Sequence, residues 1–210
     1  MEKLNILPTT LYKYDIPDDI HTSILRELPY AGFETREQRD GQPHYGKSAY
    51  GRTSLHRQEN WKFLCDFINP KVKEVATEVG YTWFDDIKVS LMWANISNEG
   101  QWHHAHRHPW SILSGIIYIQ GESGDTWFSS LNPYAMENRM FNGHHEADGN
   151  QIIHKHKPVN QTMLIFPSML LHSVSENKSP IPRITISFNS YFDGTVGDEY
   201  HLSGLTLKLQ

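Results

Sequence analysis

The chain has 210 residues, of which 38% are hydrophobic and 12% aromatic, and its net charge is −5. That length suits one domain with its own core, and the acidic balance excludes a basic footprint for nucleic acid. The single cysteine, Cys65, excludes an internal disulfide framework and fits a reducing compartment. The start, MEKLNILPTTLYKYDI, lacks a charged segment followed by an apolar run, so no signal peptide is expected. No stretch approaches ~18 apolar residues, so no membrane span is expected. A cytoplasmic, soluble protein is the expectation.

The first elements are mixed. Short extended runs surround Pro8. IPDDIHTSILRELPYAG predicts a helix capped by Asp18 or Asp19, with Ile20, Ile24, Leu25 and Leu28 on one face and Pro29 and Gly32 at its end. Residues 34–57 are polar and glycine-rich and read as a long loop. Loops of that length often serve as lids or binding segments. Arg36, Arg39, His44, Tyr45, Tyr50 and Arg52 could cover a substrate there. ENWKFLCDFINPKVKEVATEVGY predicts two helices or one broken helix, with Trp61, Leu64, Cys65 and Ile68 on the apolar face and Pro70 in the first turn of the second piece.

From about Ile87 the period changes to two. IKVSLMWANIS, SGIIYIQG, DTWFSS, QIIHKHKP, QTMLIFPS, LLHSVSEN and RITISFNSYF all read as short strands bounded by Gly, Pro, Asn and Ser. Many short strands with few helices between them predict an antiparallel sandwich or barrel. The expected organisation is a single domain over 1–210, with a helical and loop part over 1–85 packed on a β core over 86–210.

HHAHRHP, His103 to Pro109, places four histidines within six residues. In an extended segment, residues two apart share a side. His106 and His108 then converge on one ion, with His104 on that face and His103 pointing away. Imidazole suits Fe, Zn, Cu or Ni. A second His-x-His, His154 and His156, shows that the pattern alone is weak, and His144 and His145 read as loop histidines. A third ligand would come from His172, at the start of a later strand. Arg183 follows eleven positions on and opens a cleanly alternating strand. Arg183, Thr185, Ser187 and Asn189 share one face; Ile184, Ile186 and Phe188 share the other. With the polar face inward, Arg183 becomes a clamp for a carboxylate, because its planar fork donates two parallel charge-assisted hydrogen bonds.

The segments HRHPWSILSGIIYI and FPSMLLHSVSENKSPIPRITISFN resemble the 2-oxoglutarate- and Fe(II)-dependent oxygenases. The resemblance is to a branch, some of it phage-encoded, with an H-x-H-P…SG-x-x-Y segment and a later FPS…H-S-V…R-I-S-I-S-F-N segment. It covers about Trp93 to Asn189. It implies a double-stranded β-helix, or jelly roll, mostly β with the N-terminal helices packed on one sheet. It also implies Fe(II) and 2-oxoglutarate as cofactors, O2 as cosubstrate, and hydroxylation as the default outcome. Carried over, it makes His106 and His172 iron ligands and Arg183 the partner of the distal 2-oxoglutarate carboxylate. Thr185 is placed to help hold that carboxylate, Tyr118 to donate a hydroxyl to the cosubstrate, and Asn95 with Trp93 to line the site.

The superfamily pattern commonly has a carboxylate where this chain has His108. Either His108 is a third imidazole ligand, or the second ligand comes from elsewhere, with Asp125 as the candidate carboxylate. Two other readings stay open: a three-His cupin-like dioxygenase without 2-oxoglutarate, and a non-catalytic jelly-roll binding module. A structural zinc fits least, since such sites are cysteine-rich and closed by four ligands. The expected primary substrate is a peptide or small molecule rather than nucleic acid, with no membrane partner.

Overall fold

The structure, a computed structural model, describes residues 9–35, 47–48, 54–129, 153–198, 200 and 203–209. His144, His145 and the Arg36, Arg39, His44, Tyr45, Tyr50 and Arg52 set lie outside the described residues.

Two helices form where the 3.6-residue period predicts them. Helix α1, Asp18–Glu27, starts at Pro17, whose extended backbone precedes the first turn. Neither Asp18 nor Asp19 caps it through its side chain; both lie in the first turn, where carboxylates oppose the positive helix end. Ile24 and Leu28 are buried, whereas Leu25 is 48% exposed. Leu25 therefore departs from the expected face, because one residue turns a helix by about 100°. Helix α2, Lys62–Val79, is one continuous helix that carries Pro70 inside it, so the expected break does not occur. Its buried stripe of Leu64, Ile68, Val72, Val75 and Ala76 spans the proline, and packing that stripe outweighs the local penalty. Gly80 ends the helix at φ 102°, a conformation costly for any side chain.

Twelve strands are described: β1 Tyr12–Asp15, β2 Glu34–Thr35, β3 Lys47–Ser48, β4 Phe84–Ser97, β5 His103–His106, β6 Leu113–Gln120, β7 Thr126–Ser129, β8 Ile153–His156, β9 Thr162–Pro167, β10 His172–Val174, β11 Arg183–Val196 and β12 Leu205–Leu207. The 34–57 segment thus contains a strand pair, β2 with β3, and β3 joins the edge of β4 beside Asn95 and Ile96.

The strands form two antiparallel sheets. One runs β1-β9-β6-β11-β4-β3-β2 with β12 beside β11; the other runs β5-β10-β7-β8. This is the expected jelly roll, mostly β with helices on one sheet. The larger sheet buries Met92, Ala94, Ile117, Ile186 and Phe188 beneath the helices, together with Trp61, Leu64 and Ile68. Its opposite face meets the smaller sheet through Ile116, Tyr118, Phe128, Leu164 and Phe166. Burial on both faces explains why β6 is an unbroken buried run rather than an alternating one. Strand β11 alternates because its second face lines a cavity. Among the described residues, no helix is long and apolar enough to cross a membrane.

Candidate functional site

Between the sheets lies a cavity of about 290 Å³. Strand β4 contributes Leu91, Trp93, Asn95 and Ser97; β11 contributes Arg183, Thr185, Ser187 and Asn189. These sets lie side by side, because β4 and β11 pair Ser97 with Arg183, Asn95 with Thr185, Trp93 with Ser187 and Leu91 with Asn189. The polar face of β11 is turned inward, and Ile186 and Phe188 on its other face are fully buried under the helices. No described lining residue is acidic.

The smaller sheet closes the cavity with histidines. His106 on β5 and His172 on β10 are cross-strand partners. Strand β5 ends at His106, so His108 arrives from the following turn, whose position is set by the His108 N–H donating to the Ser168 carbonyl at 3.0 Å. Ring centroids stand 4.3 Å apart for His106 and His172, 4.9 Å for His106 and His108, and 5.1 Å for His108 and His172. One ligand atom from each of the three lies within 4.8 Å of the others, close enough to hold a metal ion.

The chemistry of this donor set fits a divalent transition metal. The His106 Nδ1 faces the His104 carbonyl at 2.9 Å, and the His172 Nδ1 faces the Leu170 carbonyl at 2.8 Å. A carbonyl only accepts, so each Nδ1 carries the proton and each Nε2 is left as the lone-pair donor. Burial, and then the neighbouring His106, push the His172 pKa down to about 3 and that of His108 down to about 4. Both rings are neutral near pH 7, the state that binds metal.

The flanking histidines differ from expectation. His103 does not point away: its ring meets His106 edge-on at 4.4 Å and stacks on His104 at 4.7 Å. His104 is exposed and not part of the three-imidazole group. The strict two-residue alternation fails here because the strand ends before His108. Asp125 is not part of the group either; its charge acts on Arg183, Tyr118 and His156 instead. His154 and His156 lie on β8 at the far edge of the smaller sheet, also outside the group.

Arg183 is 3% exposed. Its Nη1 donates to Thr185 Oγ1 at 3.4 Å and its Nη2 to Thr126 Oγ1 at 3.2 Å, while its Nε is buried without a partner. Among the described residues no carboxylate lies within 4.0 Å of the guanidinium. Burial lowers its pKa, yet a guanidinium starts so high that it stays charged. A buried cation with only hydroxyl partners needs an anion.

Tyr118 is fully buried and does not line the cavity. Its hydroxyl lies 2.8 Å from Thr126 Oγ1, and its ring faces the Arg183 guanidinium at 5.5 Å. It reaches the site through Thr126, a residue sequence reasoning missed. Asn95 lines the cavity with its Nδ2 donating to Ser187 Oγ at 3.2 Å. Gly121 and Gly124 were also missed. A Cβ on Gly124 would stand 2.8 Å from Arg183 Cδ, and one on Gly121 3.3 Å from Arg183 Cγ. The glycines of GESGDT signal close approach, although not to which side chain.

Comparison with known proteins agrees with this geometry. The profile of a family described as "Putative 2OG-Fe(II) oxygenase" matches residues 91–189, a span holding the three histidines and Arg183. No curated protein matches by sequence. Among solved structures, the chain is similar to a 2OG-Fe(II) oxygenase family oxidoreductase from Burkholderia pseudomallei, at TM-score 0.60 and 9% identity, covering 85% of this chain and 83% of the other. A prolyl-4-hydroxylase from Pseudomonas putida aligns at TM-score 0.56 and 11% identity, over 88% of this chain and 92% of the other. HygX from Streptomyces hygroscopicus, solved with nickel and 2-oxoglutarate bound, aligns at TM-score 0.57 and 9% identity, over 87% and 82%. At such identities the structural likeness carries the fold, and the profile match carries the kinship. Residues 91–189, with the three histidines and Arg183, match the 2-oxoglutarate- and Fe(II)-dependent oxygenases, a superfamily of oxidoreductases whose cofactors are Fe(II) and 2-oxoglutarate, and the chain shares the fold of their solved structures.

Proposed function

We propose that the protein is a hydroxylase in which His106, His108 and His172 hold Fe(II) and Arg183 anchors 2-oxoglutarate. One observation carries the reading: a three-imidazole face, half-buried at His106 and His108 and buried at His172, and a buried guanidinium without a carboxylate partner among the described residues line one cavity whose described lining holds no acid. When bound, Fe(II) and 2-oxoglutarate together supply the oxygen chemistry, converting O2 and 2-oxoglutarate to succinate, CO2 and one oxygen atom for a substrate C–H bond.

The protein's own residues bind and orient. The Nδ1–H bonds to the His104 and Leu170 carbonyls hold two rings with Nε2 facing the ion. Arg183 and Thr185 take the distal carboxylate, a dry charge-assisted pairing stronger than its solvated counterpart. Tyr118 and Thr126 fix the guanidinium from behind. Asn95 lines the wall beside Thr185 with an amide that can reach the cosubstrate. The cavity, at about 290 Å³, lies at the lower end of the range for ligand sites. A peptide side chain or a small metabolite fits that volume.

The test is anaerobic reconstitution with Fe(II) and then 2-oxoglutarate, following the visible charge-transfer band of the chelate. The reading requires the band at one equivalent of iron and a weakened 2-oxoglutarate titration in Arg183→Leu. Stoichiometric iron without the band would replace it with a three-His dioxygenase that does not use 2-oxoglutarate.

A further inference from the structure

The cavity face of β11 changes along its length. Arg183 and Thr185 are 3% and 1% exposed, whereas Ser187 and Asn189 are half-buried. The cavity is therefore sealed at its arginine end and more accessible at its asparagine end. The Arg183 guanidinium stands level with Thr185, since Nη1 donates to that hydroxyl at 3.4 Å. Thr185 and Asn189 are separated by about 13 Å of strand. A five-carbon dicarboxylate held at the guanidinium extends about 7 Å, roughly the reach of two extended residues. It ends near Ser187, short of Asn189.

The three imidazoles face this second half. His108 stands 5.8 Å from Trp93, ring to ring, and Trp93 pairs with Ser187. His172 stands 5.0 Å from Phe166, which pairs with Ser114, and Ser114 pairs with Asn189. Asn189 thus lies level with the metal-binding group, on the opposite sheet. Its amide is held in one orientation. Ser114 Oγ donates to Asn189 Oδ1 at 2.8 Å and lies 2.8 Å from Oγ of the fully buried Ser168. The Ser168 carbonyl accepts the His108 N–H at 3.0 Å, so one serine anchors both a metal ligand and the hydroxyl that orients Asn189. With Oδ1 committed to Ser114, the planar amide turns Nδ2 the other way. Among the described residues Nδ2 has no partner, and it is not sealed from the cavity that Asn189 lines.

We infer that Asn189 is the specificity-determining residue for the primary substrate, its Nδ2–H taking a carbonyl oxygen close to the C–H bond that is oxidised. Leu91, its partner on β4, and Ile116 on β6 line the same cavity, so the group that enters is a carbonyl on a compact apolar body. The inference rests on the oxygenase reading for its catalytic meaning.

Cyclopentanone is the probe, and methylenecyclopentane, of similar shape without the acceptor, is the control. Each is titrated into the whole chain loaded anaerobically with Mn(II) and saturating 2-oxoglutarate. Paramagnetic relaxation of the ring protons reports affinity and nearness to the metal, and Zn(II)-loaded protein gives the diamagnetic baseline. Wild type should bind the ketone about 5-fold more tightly than the alkene, within the worth of a neutral hydrogen bond, with relaxation above the baseline. Asn189→Leu should abolish that preference and keep the affinities for Mn(II) and 2-oxoglutarate. Asn189→Asp, which keeps the size and the bond from Ser114 but has no N–H, should abolish it as well. Ser114→Ala, which frees the amide to turn, should reduce it.

Four results would overturn the assignment: no ketone binding, equal affinity of wild type for the two probes, a preference retained in both Asn189 variants, or relaxation no greater with Mn(II) than with Zn(II). Weakened 2-oxoglutarate binding in Asn189→Leu would also overturn it, by making Asn189 a ligand of the cosubstrate. Asn189-dependent ketone binding in protein that does not bind 2-oxoglutarate would remove the oxygenase reading and leave the Asn189 site standing.

Discussion

His106 and His172 sit opposite each other on β5 and β10, with ring centroids 4.3 Å apart, and each directs Nδ1 at the carbonyl two residues before it. The same local bond thus sets the same tautomer on two strands far apart in sequence. The two rings are oriented by the protein's own backbone carbonyls.

From this pairing, His172→Ala should lower metal affinity at least about 100-fold, since even a lost supporting bond costs 10–100-fold. Circular dichroism should show the fold retained. His108→Asp, which restores the carboxylate common at this position, should still bind one equivalent of Fe(II). Calorimetry on the metal-free protein checks both; full affinity in His172→Ala would exclude His172 as a ligand.

Arg183→Leu should weaken 2-oxoglutarate by about 10–100-fold, the worth of a hydrogen-bonded charge pair at 1.5–3 kcal/mol, while leaving the metal titration unchanged. Loss of both together would mean that Arg183 supports the cluster rather than the cosubstrate.

Gly124→Ala acts on the same arginine from behind. Its φ of +85° disfavours any side chain, and the new Cβ would stand 2.8 Å from Arg183 Cδ. The backbone term alone costs about 1–2 kcal/mol. We expect a lower Tm together with weaker 2-oxoglutarate binding at unchanged metal affinity. A loss of stability alone would show that Arg183 tolerates the displacement.

Acid should destabilise the metal-free protein through two imidazoles, buried His172 and half-buried His108. His172 and His108 have folded pKa values of about 3 and about 4, depressed from 6.5 by burial and then by His106. Below 6.5 the unfolded chain binds protons that the folded chain refuses, so stability falls as pH drops. The loss should run from pH 6.5 down to about 3 to 4 and then level off, because both states are protonated there. Thermal melts across this range, with His172→Leu as comparison, should show a shallower slope in the variant. Identical slopes would place the acid sensitivity elsewhere.

Much of this protein is determined by local sequence. The period of two sets which side chains share a face of β11, so Arg183, Thr185, Ser187 and Asn189 fall together whatever lies opposite. His106, His108, His172 and Arg183 are likewise visible as residue types at spacings suited to metal and carboxylate. Tertiary structure decided the rest. Whether the polar face of β11 met water or a cavity depended on β5 and β10 crossing above it. His108 reached the cluster from a turn anchored on Ser168, sixty residues away in sequence, and His103 folded back onto His106. Tyr118 went behind Arg183, joined to it by Thr126, and Gly121 and Gly124 gave the arginine its room. The physical reason is the same in each case. Backbone period is a property of neighbouring residues, whereas packing, burial and hydrogen-bond partners are chosen between segments that only the folded chain brings together.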